Sequence, residues 1–162
     1  MTALDVLRLE QATGRAASEL VTWLAPDSVD MTGEPQSFVE LSTGRRLMAL
    51  AQREGACLLL GADNRCRAYE ARPRDCRAYP FDFARDGSVQ RLQLLPLTDC
   101  DYADDGENDA AALDAADQAR WSELESYWEL VARWNRRAFH RRRLHRSVGS
   151  AAEFLAFARA AG

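Results

Sequence analysis

The stretch GACLLLGADNRCRAYEARPRDCRAYPF, residues 55–81, decides how the rest of the chain is read. It holds three of the four cysteines, Cys57, Cys66 and Cys76, with 8 and 9 residues between successive members; Cys100 follows after another 23. Cys57-Leu58-Leu59-Leu60 is a short apolar run between glycines and is expected as a buried strand end. From Asn64 to Pro80 there is little periodicity, many turn formers and many arginines, so the sequence predicts an irregular loop. Such a loop needs something besides an apolar core to hold it. A thiolate-bound metal would serve, because its binding energy becomes folding energy. Four thiolates suit tetrahedral Zn²⁺ or an iron–sulfur cluster. Two blander readings stand beside these: four small buried residues with no common role, and disulfides of an exported protein. No Cys-x-x-Cys pair of the zinc-knuckle kind is present, which tilts the metal reading slightly toward a cluster.

Outward from this centre the pattern is regular. On the N-terminal side, Thr2 with Asp5 predicts a capped first helix with an apolar stripe at Leu4 and Leu7, stopping at Gly14. A second short helix is expected to carry Leu20, Trp23 and Leu24 on one face and to end at Pro26-Asp27. Phe38 to Leu41, the turn residues Ser42-Thr43-Gly44, and Leu47 to Leu50 predict a β-hairpin. A second hairpin is expected over Phe81-Asp82-Phe83 and Val89 to Leu95, with Asp86-Gly87 at its turn. The acidic stretch Asp99 to Asp117 leads into a helix whose Trp121, Leu124, Trp128, Val131, Trp134 and Ala138 recur at spacings of three and four. Ser150 with Glu153 predicts a capping box for a final helix. The sum is an α+β protein: N-terminal helices, small antiparallel hairpins with an irregular Cys-rich loop, and C-terminal helices. It reads as a single domain over residues 1–162, helical in 1–26, β and loop in 37–100, helical again in 109–162.

Composition supports a folded chain. Of 162 residues 47% are hydrophobic and 28% charged, with net charge −4. No apolar run approaches a membrane span, and the opening residues lack a basic-then-apolar export segment, so a cytoplasmic location is expected. All 21 basic residues are arginine, which suggests a GC-rich bacterial coding sequence rather than a chemistry. Net acidity disfavours a dedicated nucleic-acid binder.

The residues around the cysteines carry a resemblance. Gly55-Ala56-Cys57-Leu58-Leu59-Leu60, then Cys66-Arg67-Ala68-Tyr69-Glu70-Ala71-Arg72-Pro73-Arg74-Asp75-Cys76-Arg77-Ala78-Tyr79-Pro80-Phe81, resembles the pattern of the YkgJ-like cysteine-cluster family, described as a zinc- or iron-chelating domain. Cys100 resembles the further cysteine that follows in that family, and residues 3–9 with Gly14 resemble the helix behind the family's first cysteine group. The resemblance implies one metal centre on Cys57, Cys66, Cys76 and Cys100. The family opens with a Cys-x-x-Cys-Cys-like group ahead of that helix, which residues 1–162 do not contain. Either those ligands are lost or the reading frame extends upstream of Met1, and the chain offers at most four cysteine ligands.

Four thiolates on Zn²⁺ leave about two net negative charges. Arg72 and Arg77, which match arginines of the family pattern, are expected to offset that charge and to donate hydrogen bonds to sulfur or to nearby carbonyls. Arg67 and Arg74 read equally well as solvated loop residues. Tyr69 and Tyr79 are expected as core rings. His140 and His145 lie in the basic run and have nothing to bring them to the cysteines. No phosphate-binding glycine loop, dinucleotide fingerprint or nucleophile–base pair is visible. Flagellin lysine methylases carry a distantly similar cysteine cluster, so a metal-dependent enzyme or enzyme partner in redox or group transfer stands as the alternative. A third reading is an interaction module whose basic segment, residues 133–146, meets a protein partner.

Overall fold

A computed structural model describes residues 1–29, 34–79, 81–86, 89–94 and 110–161. Helix α1 spans Ala3–Thr13 and begins as the sequence predicts: Asp5 N–H donates to Thr2 Oγ1 at 3.2 Å while Thr2 N–H donates to Asp5 Oδ2 at 2.8 Å. Gly14, at φ +67°, ends it by donating its N–H to the Glu10 carbonyl. The buried face of α1 differs from expectation. Ala3, Val6 and Leu9 form it, and Leu4 is exposed, because the stripe at three-residue steps faces the C-terminal helices.

Helix α2 is a single turn, Ala17–Leu20, and the chain then extends into strand β1, Val21–Leu24. Trp23 and Leu24 therefore lie in a strand, where helix was expected. A four-residue helix cannot propagate through β-branched Val21 and Thr22, and pairing with the central hairpin supplies the missing hydrogen bonds. That hairpin is β2, Val39–Leu41, and β3, Gly44–Leu50, with Leu41 opposite Gly44. Strand β1 runs antiparallel on the other side of β3, from Val21 opposite Leu50 to Leu24 opposite Leu47, giving the order β1-β3-β2.

The exposed edge of β2 is closed by the long helix α4, Ala110–Arg143. Asn135 acts there like a neighbouring strand: its Oδ1 accepts from Glu40 N–H and its Nδ2 donates to the Phe38 carbonyl, both at 2.8 Å. Trp134 Nε1 donates to the Glu40 carbonyl at 2.7 Å and Trp128 Nε1 to Ser37 Oγ at 2.8 Å. The last helix, α5, Ala151–Ala161, carries the expected Ser150–Glu153 capping box. Its Phe154 stands edge-on to both Trp23 and Trp134, at centroid distances of 5.9 and 5.5 Å. Leu9, Leu20, Val39, Met48, Val131 and Phe154 are fully buried around this contact. Gly149, at φ +119°, precedes α5 and must be glycine, since a Cβ would lie 2.8 Å from the Trp134 ring.

Between the sheet and α4 the chain makes smaller elements. Strands β4, Gln52–Arg53, and β5, Ala56–Cys57, form a minimal hairpin whose turn residues Glu54 and Gly55 both have positive φ, the geometry that matches strand twist. A 3₁₀ turn at Tyr69–Ala71 leads into α3, Arg74–Ala78. The second hairpin is β6, Phe81–Asp86, against β7, Val89–Leu94; the expected turn at Gly87 and residue Leu95 lie outside the described residues. So do residues 95–109, which include Cys100 and most of the acidic stretch. Among the described residues no helix is long and apolar enough to cross a membrane.

Candidate metal centre

Each described cysteine is placed by a different local device. Cys57 ends β5, and its carbonyl accepts from Leu60 N–H at 3.0 Å, so the chain turns directly after it. Only Leu59 of the expected buried run is in the core; Cys57 and Leu60 are exposed, because a two-residue strand followed by a turn points one leucine inward. Cys66 is returned opposite Leu60 by a tight loop in which Gly61 N–H donates to the Arg65 carbonyl at 2.8 Å. A side chain on Gly61 would crowd the loop: its Cβ would displace the Asp63 carboxylate, 2.5 Å away, and lie 3.2 Å from the Arg65 carbonyl. Asn64 takes the left-handed position, φ +59°, which its short polar side chain tolerates. Leu59 and Ala68 then pin the loop to the core on either side of Cys66.

Cys76 sits on α3, where only a loop was expected. Pro73 precedes the helix with its φ already set, and five residues are too few to leave a periodic trace in the sequence. The three thiols are unpaired and all line one groove of about 1080 Å³, together with Leu50, Leu59, Tyr69 and Tyr79. Tyr69 and Tyr79 are exposed, not core rings as expected. Cys76 is exposed by area, but the groove walls partly desolvate its thiol and push it above its ordinary pKa, and negative charge at Cys57, Asp75 and Asp5 adds to the effect. Its proton must therefore be displaced by whatever cation the sulfur binds. Neither histidine lines the groove.

Three soft sulfur donors on one groove suit a thiophilic metal chemically. Among the described residues, however, no three Cys, His, Asp or Glu side chains stand gathered at coordinating positions. The sulfurs face a common space without closing it.

The arginines have defined partners. Arg72 lines the groove with its guanidinium 3.6 Å from the centre of the Tyr69 ring and its Nε donating to the Tyr69 carbonyl at 3.0 Å. Arg77 donates from Nε to the Arg72 carbonyl at 3.1 Å and from Nη2 to the Glu70 carbonyl, stapling the 3₁₀ turn to α3. Arg74, read from sequence as equally a solvated loop residue, is half-buried: its Nε donates to Glu123 Oε2 on α4, 49 residues away. Asp5 and Arg8 stand three residues apart on α1, but their contacts to Glu123, like the Arg74 ion pair, left no local pattern in the sequence. Asp5 was visible only as a cap.

A family model named CxxCxxCC, described as "putative zinc- or iron-chelating domain", matches residues 12–104. Comparisons with curated proteins and with solved structures each give no match. The matched span is more than half of the chain and contains all four cysteines, so this chain belongs to the CxxCxxCC family.

Proposed function

We propose that this is a metal-binding protein of the YkgJ-like kind, in which Cys57, Cys66, Cys76 and Cys100 hold one thiolate centre, zinc or iron–sulfur with a slight preference for iron–sulfur. The observation that carries the reading is that three cysteines, set by a hairpin end, a tight loop and a short helix, line one groove. When bound, zinc would tie the irregular segment together, and an iron–sulfur cluster would add one-electron chemistry. The chain's own part is to bring the sulfurs to one space. Arg77 braces the backbone between Tyr69 and Cys76, and Arg72 brings positive charge to the groove beside the thiolates. Unpaired thiols fit a reducing compartment, and we place the protein in the cytoplasm. The test is metal and acid-labile sulfide content of protein purified without oxygen. About one zinc per chain, or iron with matching sulfide, supports the centre; a folded protein that takes up neither metal sinks it.

A second reading follows from size. A metal with Zn–S bonds of ~2.3 Å stays close to its sulfurs and fills little of a groove of about 1080 Å³, so the remaining space suits a substrate of a redox or group-transfer enzyme. Residues 133–146 support a protein partner as well: Phe139 and Leu144 are exposed there among Arg136, Arg137, Arg143 and Arg146. Weakening of such a complex by salt, and by Phe139→Ser, tests that surface.

A further inference from the structure

Helix α3 has only five residues and buries none of them, so its own contacts with the core do not fix where Cys76 points. Besides the buried Pro73 ahead of it and the Arg77 staple, α3 is tied down by a charge cluster at the junction of α1, α3 and α4. The Glu123 side chain is only 7% exposed and is surrounded by donors. Its Oε1 accepts from Thr2 Oγ1 at 2.9 Å and Arg8 Nη2 at 2.8 Å; its Oε2 accepts from Arg8 Nη1 at 3.0 Å and from Arg74 Nε. Asp5, more deeply buried still, accepts from Arg8 and from the Arg74 backbone N–H at 3.3 Å, one of the first-turn amides of α3. One residue on, Asp75 accepts from Arg120 at 3.3 Å. The two carboxylates Asp5 and Glu123 face two guanidiniums, Arg8 and Arg74, so the cluster is neutral; all four carboxylate oxygens accept hydrogen bonds, while the buried Arg8 Nε has no partner among the described residues.

We propose that Glu123, acting through Arg74, is a positioning residue for Cys76: it holds α3 so that Cys76 faces the groove shared with Cys57 and Cys66. Thr2, Asp5, Arg8 and Glu123 all lie outside residues 12–104, so the platform for a cysteine of the family segment comes from flanking helices. Coupling runs both ways, since a cluster that favours the metal-bound arrangement is itself stabilised when metal binds. The metal part of this inference rests on the proposed function; the placement of Cys76 does not.

Arg74→Met tests it, because it cuts the Glu123–Arg74 link to α3 and leaves Thr2 and Arg8 on Glu123 and the Arg74 backbone N–H on Asp5. Two readouts are compared with the unaltered protein: zinc affinity with the Co²⁺ spectrum of the substituted site, and, on metal-free protein, capture by a trivalent arsenical, which needs two thiols side by side. Arg74→Met should weaken zinc about tenfold, roughly 1.4 kcal/mol, and slow arsenical capture, with Arg74→Lys recovering much of both. Glu123→Gln should act in the same direction. Unchanged affinity and capture in both Arg74→Met and Glu123→Gln would overturn the positioning role. If the unaltered protein takes up neither zinc nor iron but the variants still lose capture, the metal reading fails and the positioning role stands.

Discussion

The sheet with α1, α4 and α5 and the cysteine segment are held by opposite means. In the first, large side chains meet in a buried centre: Phe154 between Trp23 and Trp134, Leu9 and Leu20 fully buried, Asn135 closing the edge of β2. In the second, Leu59 and Ala68 are the buried core anchors of residues 55–79, Leu58, Cys66 and Ala71 pack on the core at partial burial, and the rest is held by turns, an arginine staple and the ion cluster at Glu123. A frame built on burial keeps its shape without help. A segment built on turns and charges can be placed accurately yet opened locally at small cost, which suits a site whose ligands must draw together around an ion.

The contrast can be broken from the frame side. Phe154→Ala should cost ~3–5 kcal/mol, read as a fall in the denaturation midpoint of the whole chain, and added metal should not restore it. Asn135→Ala removes both side-chain bonds, to Glu40 of β2 and to Phe38 just before it, and should cost about 2 kcal/mol in the same measurement. An unchanged midpoint in either variant would mean the frame is not held where the packing indicates.

Acid sharpens the comparison at the junction. Burial raises the Glu123 carboxyl, but hydrogen bonds from Arg8, Arg74 and Thr2 outweigh it and hold the group below its ordinary range. With the folded value depressed, its contribution is complete above the unfolded value of about 4.3 and is lost as pH falls through the folded one. Glu123→Gln should therefore flatten the fall of stability below about pH 4.3; an unchanged pH slope would show that the carboxylate is not paired in solution. The smallest effect on the frame should come from Cys76→Ser. Metal uptake should collapse and amide exchange in residues 55–79 should rise, while the frame's stability shifts by no more than about 0.5 kcal/mol. A large loss of frame stability would merge the two regions into one unit.

How much the sequence disclosed follows the same division. Both capping boxes, the hairpin from Val39 to Leu50 and the long helix through Trp121 and Ala138 were legible, because each is a local pattern of period or capping. Strand β1 was not: four residues after a helical turn carry no period, and its pairing with Leu47–Leu50 decides the outcome. Helix α3 was hidden for a similar reason. The cysteines themselves were legible by type and spacing, but their common groove is a product of tertiary placement. Arg74 shows the limit most sharply, since its partner is 49 residues away and nothing near it in the chain announces a carboxylate.

The central claim is that these cysteines ligate a metal, and the most direct measurement is X-ray absorption at the edge of the metal that the purified protein carries. The account predicts a sulfur-dominated coordination shell, with distances of ~2.3 Å for zinc. A shell of oxygen and nitrogen, or no stoichiometric metal to measure, would contradict it.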